Sequence, residues 1–429
     1  MDTQIHTLLL GLYQPNQPLP TKAALLKIQR IGVLEEGTLS YGTQYMATHS
    51  LRFHPDPDLA RPINRLPAAR IRDGGALPPY LLDSLPDAWG RLVLTAANAG
   101  RSLDDLDMLR MTNTNRVGAV VVMDEEPSRI AEETLSLDDL YRMAMAIQYG
   151  DEVPINVRRL LNQGGSLGGA RPKTSIHVDE ELWLAKFPLH DDLFDYQYAE
   201  AGALDLAAQC RIQVGPYRCV QINGGNALLV KRFDRARTAT GEVRIHYLSA
   251  AGLLNVRYES GEGSYVDLAK AITRFGAAPK EDCQELFRRM IFNMLIDNTD
   301  DHVKNHGFLH AGDGKYRLAP VFDIHPQGTN LQYMGMPLTG SNASPTISQI
   351  LDEAHHFYYS RTEAGMVIAE LFFKISSRWK TSFAEVGMSA NDIQFLEVRI
   401  QPLLESWLGR LAGAIGDAAK AWGAAGIGQ

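Results

Sequence analysis

Apolar and polar residues alternate in short stretches over much of the first half of the chain, whereas in the second half apolar residues recur at three- and four-residue steps. Between residues 31 and 83, runs such as Gly37-Thr38-Leu39-Ser40-Tyr41 are broken by Pro55, Pro57, Pro62, Pro67, Pro78 and Pro79, which predicts a small β-rich unit with long loops. Pro86-Asp87-Ala88-Trp89-Gly90-Arg91 opens a predicted helix that runs to about residue 99, with proline near the first turn and Gly100 just past the end. Leu137, Leu140, Met143 and Ile147 then share one helical face that leads into a glycine-rich stretch. Residues 174–178 and 181–187 read as strands flanking a turn at Asp179-Glu180, 226–233 reads as a further strand, and 196–210 reads as a helix. From Val266 onward the pattern is mostly helical, over 283–296, 363–379 and, with breaks, 390–422. A β-containing half followed by a helical half is the expected α+β architecture.

No self-similarity at periods of 20 to 50 residues is present, which removes solenoids and propellers. The length of 429 residues suggests two or three packed units, and 45% apolar with 21% charged residues is an ordinary globular composition. A formal charge of -8 makes the whole-molecule field repel nucleic acid and anionic lipid, so DNA would be reached only through a local basic patch or a partner. Cys210, Cys219 and Cys283 have no C-x-x-C spacing, so neither a disulfide framework nor a zinc knuckle is expected, and a reducing cytoplasm fits. The apolar run at residues 6–12 is too short to span a bilayer and lacks a signal peptide's flanks, so neither membrane insertion nor export is expected.

Four stretches concentrate chemistry. In Gly164-Gly165-Ser166-Leu167-Gly168-Gly169-Ala170-Arg171-Pro172-Lys173, four glycines let backbone N–H groups approach an anion and Lys173 adds positive charge; a plain flexible loop is the alternative. Lys186 sits in the apolar strand Trp183-Leu184-Ala185-Lys186-Phe187-Pro188, either to meet an anion or as an edge-strand lysine that deters aggregation. Asp297-Asn298-Thr299-Asp300-Asp301-His302-Val303-Lys304-Asn305-His306 follows a helix with Phe287, Met290, Ile291 and Met294 on its buried face. Asp300 and Asn305 are five apart, the residue types and spacing by which a phosphotransferase sets a base near the nucleophile and an amide oxygen on magnesium. A zinc site at His302 and His306 or a solvated charged loop are the alternatives. Downstream, Leu318-Ala319-Pro320-Val321-Phe322-Asp323 ends in a carboxylate where a second magnesium ligand is expected, with a hairpin turning at Gly312-Asp313-Gly314 between the two stretches; a simple turn-forming aspartate is the other reading.

Together with Val230-Lys231-Arg232-Phe233-Asp234-Arg235, these motifs resemble the HipA-type serine/threonine kinase family, toxins of bacterial type II toxin–antitoxin modules. Leu81-Leu82-Asp83-Ser84-Leu85-Pro86-Asp87-Ala88-Trp89-Gly90-Arg91 and Asn115-Arg116-Val117-Gly118-Ala119 resemble the family's N-terminal subdomain. The resemblance implies an α+β, two-lobed kinase-like fold with a β-rich N-terminal subdomain and a mostly helical C-terminal lobe. It divides the chain into a β-rich subdomain at 31–125, an ATP-binding N-lobe portion at 126–265 and a helical C-lobe at 266–429; residues 1–30 do not match the family and are expected as an N-terminal appendage, with a small helical DNA-binding or antitoxin-like element as one reading. Gly168, Gly169, Ala170, Arg171, Pro172 and Lys173 would cover the ATP phosphates, Lys186 would pair with the α- and β-phosphates, and Lys231, Arg232 and Phe233 would form the hinge beside adenine. Asp300 matches the proton-accepting base, His302, Val303, Lys304 and Asn305 the catalytic loop, Asn305 and Asp323 the magnesium ligands beside Phe322, and Ser166 the autophosphorylated serine. Lys231 departs from relatives with an acidic residue there. The implied partners are a helix-turn-helix antitoxin, DNA only through that antitoxin, and a protein substrate of which aminoacyl-tRNA synthetases are one kind. A small-molecule kinase of the same fold and a catalytically dispensable corepressor are the competing functions.

Overall fold

The computed structural model describes residues 3–98, 100–112, 115–123, 135–150, 170–239, 241–327 and 333–414. Leu8, Leu10 and Leu12 alternate along β1 (Thr3–Tyr13) and are buried, while Ile5 and Thr7 face outward. β1 pairs antiparallel with β2 (Pro20–Ile31), setting Leu8 opposite Leu26 and Leu10 opposite Ala24. β3 (Leu34–Tyr41), β4 (Ile63–Arg70) and β5 (Val120–Val122) complete a five-stranded sheet of order β4-β3-β2-β1-β5. The stretch expected as an appendage at 1–30, with a small helical element as one reading, instead supplies two interior strands. Its alternation is masked in sequence by the unbroken Leu8-Leu9-Leu10, and Pro15, Pro18 and Pro20 mark the connection between paired strands.

A second sheet contains β6 (Lys173–Val178), β7 (Glu181–Lys186), β8 (Tyr217–Ile222) and β9 (Gly225–Lys231) in the order β6-β7-β9-β8. β6 and β7 join through Asp179 and Glu180, both left-handed (φ 51° and 65°), the backbone of a tight hairpin turn whose twist suits the flanking strands. On one face pack α1 (Ala88–Ala97) and α2 (Leu137–Tyr149), where Trp89, Val93, Tyr141 and Ile147 meet Ala185, Phe187 and Leu229. The Trp89 indole N–H donates to the carbonyl of Lys173 at 2.7 Å, pinning the start of β6. β10 (Arg235–Thr238) and β11 (Gly241–Arg244) form a hairpin, and β12 (Tyr247–Ser249) joins β13 (Gly307–Gly312) and β14 (Lys315–Leu318) in a three-stranded sheet. The β13–β14 turn is at Asp313 and Gly314 (φ 49° and 69°), as expected.

The helical part comprises α3 (Tyr196–Gln209), α4 (Tyr265–Phe275), α5 (Pro279–Leu295), α6 (Arg361–Glu385) and α7 (Ala390–Ala414). Phe287, Met290, Ile291 and Met294 of α5 are buried, as their spacing predicts. Ser360 caps α6 and exchanges hydrogen bonds with Glu363 in a capping box, so the helix begins where the chain supplies partners for its free N–H groups. Mixed strands and helices in this arrangement make an α+β fold. The chain forms two compact units, one from residues 1–190, 220–257 and 308–316, the other from 191–219, 258–307 and 317–429. Among the described residues no helix is long and apolar enough to cross a membrane. All three cysteines are free thiols, and burial pushes each up to about 12.

Candidate active site

β7 lies between β6 and β9, so Lys186 is no edge-strand lysine. Lys186 stands directly opposite Lys173, and the two are 9% and 6% exposed. Directly opposed residues share a face, so two buried cations sit side by side, away from the face that holds Ala185 and Phe187. Ala170 and Arg171 lead into Pro172, whose carbonyl accepts the Phe187 N–H at 2.9 Å. Gly168, Gly169 and Ser166, with Gly164 and Gly165, lie outside the described residues.

Lys231 ends β9 with its Nζ 2.5 Å from Glu181 Oε1 on the neighbouring hairpin, so its charge has a local counterpart. The Phe233 ring stacks on Tyr247 with centroids 6.1 Å apart. Arg232 turns inward: its Nε and Nη2 fork onto the Asp234 carboxylate at 2.9 and 2.7 Å, and its Nη1 donates to the Asn115 carbonyl and Ser175 Oγ. Asp234 also takes Arg235 Nη1 at 2.6 Å and the Gly118 N–H at 2.8 Å. Burial alone would push this carboxyl up; the Arg232 and Arg235 charges outweigh it and hold Asp234 well below the usual carboxylate range. The motifs at 115–119 and 231–235 are thus one bonded assembly, a pairing that nothing in their separate spacings reveals.

In the other unit, α5 ends at Leu295 and the chain reverses through left-handed Asp297 (φ 60°) into the polar loop. Asp300 is exposed and Asp301 is buried. The Tyr265 hydroxyl of α4 donates to Asp301 Oδ2, and His306 Nε2 lies 3.1 Å from Asp301 Oδ1. Burial pushes Asp301 up, but the His306 charge and the hydrogen bonds from His306 and Tyr265 leave it below the usual carboxylate range. Burial beside that carboxylate pushes Tyr265 well up. Tyr265 escaped sequence reasoning because it lies 36 positions from its partner.

His302 Nδ1 accepts the Lys304 N–H at 3.3 Å and starts the short turn Val303–Asn305; its ring meets Tyr258 edge-on at 4.8 Å, with Lys304 Nζ 5.4 Å from the Tyr258 centroid. Val303 is buried under the turn. Asn305 Nδ2 donates to the Asp300 carbonyl at 3.2 Å, which orients the amide and ties the two ends of the motif together. Half-buried Phe322 precedes Asp323, a left-handed residue (φ 53°), a conformation that costs a non-glycine residue roughly 1–2 kcal/mol. Its backbone N–H donates to Glu200 Oε1 at 3.0 Å. Asn305 and Asp323 offer hard oxygen donors in the small number that magnesium takes from protein, the rest coming from water and phosphate. Among the described residues no group of three or more His, Cys, Asp or Glu side chains converges as a metal cage around His302 and His306.

The family description of the HipA-like C-terminal domain matches residues 165–379, half of the chain. The chain belongs to the HipA-like family. Its HipA-like segment carries Lys173, Lys186, the 231–235 motif, the polar loop and Asp323. A protein of Sinorhizobium fredii (strain NBRC 101917 / NGR234) named "Putative kinase Y4mE" is 29% identical over 278 residues, 57% of this chain and 63% of that protein. One of Haemophilus influenzae (strain ATCC 51907 / DSM 11121 / KW20 / Rd) named "Putative kinase" is 24% identical over 210 residues, 43% of this chain and 60% of that protein. The chain therefore spans somewhat under two thirds of the length of these relatives. Among solved structures, a chain from the Shewanella oneidensis MR-1 toxin–antitoxin system, a complex of HipA, HipB and its operator DNA, superposes with a TM-score of 0.68 at 16% identity, covering 95% of this chain and 99% of that one. This likeness establishes the HipA fold.

Proposed function

We propose that this HipA-like chain is an ATP- and magnesium-dependent protein serine/threonine kinase that acts as a growth-inhibiting toxin. The observation that carries the reading is the split of the adjacent aspartates: Asp301 is locked inside by Tyr265 and His306, so Asp300 is presented outward on a loop tied at both ends. In this role Asp300 accepts the proton of a substrate hydroxyl as its oxygen bonds to the γ-phosphorus and the bond to the ADP oxygen breaks. Lys173 and Lys186 balance phosphate charge, and Asn305 and Asp323 hold the metal, which when bound neutralises charge on the phosphoryl oxygens. Lys231, Arg232 and Phe233 frame the adenine side with backbone groups, while the Asp234 assembly keeps that segment rigid.

The proposed partner is a helix-turn-helix antitoxin, with DNA reached only through it, as the net charge of -8 favours. Slow phosphorylation of Ser166 by another copy is the proposed off-switch. A phosphoryl group there adds about -1.5 to -2 charge and repels the triphosphate from the glycine-rich stretch. The test is incubation of the purified chain with Mg-ATP labelled at the γ-phosphate and a bacterial extract. Label on serine or threonine of an extract protein, absent with Asp300→Asn, supports the kinase; label confined to a small metabolite points to a small-molecule kinase. Intact mass of the chain reports Ser166, and growth arrest by the wild type but not by Asp300→Asn reports toxicity.

A further inference from the structure

We infer that Glu200 is a positioning residue for Asp323, presenting its carboxylate by holding its backbone; the metal-binding consequence rests on the kinase reading above. Glu200 is 4% exposed on α3, and its Oε1 accepts the Asp323 N–H at 3.0 Å. A buried carboxylate that receives a backbone N–H makes one of the stronger hydrogen bonds in a fold. The residue it holds is left-handed, a backbone state that persists only where the surroundings enforce it and that clusters at functional sites.

The helix that carries Glu200 cannot easily shift. A Cβ on Gly202 would lie 2.7 Å from the Phe383 ring of α6, so the two helices meet as closely as glycine permits. Asp195 caps the start of α3 by accepting the Tyr198 N–H at 2.9 Å. Two residues before Asp323, the Val321 N–H donates to the Gln213 carbonyl at 2.9 Å, and Val214 bridges Val321 in parallel. The segment 321–323 is thus held at two points by α3 and the chain that leaves it. Asn305 is oriented separately, through the Asp300 carbonyl, so the two metal-ligand residues have independent anchors and Glu200 serves only one of them.

The test uses the full chain with Glu200→Ala, which removes the acceptor, and Glu200→Gln, whose amide oxygen can still accept the same N–H. Without nucleotide, hydrogen exchange in the peptide spanning 321–325 should be faster for Glu200→Ala and near wild type for Glu200→Gln. With Mn²⁺ and a non-hydrolysable ATP analogue, the metal Kd read by electron paramagnetic resonance should rise about 10-fold or more in the alanine variant, the usual effect of removing a group that orients a ligand. It should change less than about 2-fold in the glutamine variant. Unchanged exchange in Glu200→Ala overturns the proposal. So does a glutamine variant whose metal Kd rises about 10-fold or more over wild type, which would assign the effect to the negative charge; this arm is read against wild type and decides the matter even where the alanine variant fails to fold. Faster exchange in Glu200→Ala than in wild type, together with a wild type that binds no Mn²⁺-nucleotide, would overturn the kinase reading while supporting the backbone anchor.

Discussion

Asp300 and Asp301 are chain neighbours in opposite surroundings, the first exposed and the second 1% exposed between the Tyr265 hydroxyl and the His306 imidazole. A carboxylate engaged on both oxygens in the interior is poorly placed to take a proton from a substrate. Its exposed neighbour, on a backbone held by that same interior contact, is well placed to do so.

Asp300→Asn is therefore expected to slow phosphoryl transfer by roughly 10²- to 10⁴-fold while nucleotide affinity stays near wild type. Asp301→Asn is expected to act on stability first, lowering it by about 1–3 kcal/mol through the loss of the buried acceptor that engages the Tyr265 hydroxyl and the His306 imidazole. Transfer rates, nucleotide titrations and thermal melts of both variants separate the roles. A stable Asp301→Asn with no transfer beside an active Asp300→Asn would exchange them.

Asn305→Ala and Asp323→Ala should each raise the magnesium concentration needed for half-maximal turnover, since each removes one oxygen ligand from an ion that otherwise keeps several waters. Magnesium titration of both variants checks this. Unaltered dependence in both would place the metal elsewhere.

Asp234→Asn should destabilise the chain by about 3–5 kcal/mol, because Arg232 and Arg235 would stay buried with their shared charge partner gone. Asp234 has a folded pKa below its unfolded value near 3.8, so its contribution is present above that value and fades as the pH falls further. Urea denaturation at pH 7 reads the first effect, and acid titration of wild type against variant reads the second.

His246 gives a second pH dependence. It is 2% exposed, its Nε2 lies 3.1 Å from the Phe53 carbonyl, and burial, with His310 and His54 nearby, lowers its pKa from 6.5 to about 3. The unfolded chain binds this proton more readily than the folded one, so stability is full above pH 6.5 and falls as the pH drops toward 3. One such proton contributes a slope of at most about 1.4 kcal/mol per pH unit. Denaturant midpoints between pH 7 and pH 4 should fall less steeply for His246→Gln than for the wild type; equal slopes would remove His246 as the cause.

The hairpin of β6 and β7, strand β9 and helices α3 and α5 were legible because each carries its own periodicity and its own end signals. Lys186, Asp300, Asn305 and Asp323 stood out because polar groups are rare beside such apolar runs. The N-terminal sheet was not legible, since its register is decided by partners across the sheet and Leu8-Leu9-Leu10 hides which face is buried. Glu200 was missed for a similar reason: in an alanine-rich helix a glutamate reads as a solvated carboxylate, and only the return of the chain at Asp323 gives it a partner. Asp301 and His306 share one motif, but Tyr265, 36 positions before Asp301, joins them from a helix whose own sequence does not refer to that loop.

The first compact unit is assembled from residues 1–190, 220–257 and 308–316, so no uninterrupted stretch of the chain contains it without also containing parts of the other. A ribosome adding roughly 5–20 residues per second needs about 6 to 25 s to pass from residue 190 to residue 316. Over that interval the five-stranded sheet can already be paired while β12 still waits for β13. The last-made third of the molecule thus completes the unit that was begun first, and a nascent chain carries Lys173 and Lys186 well before the polar loop at 297–306.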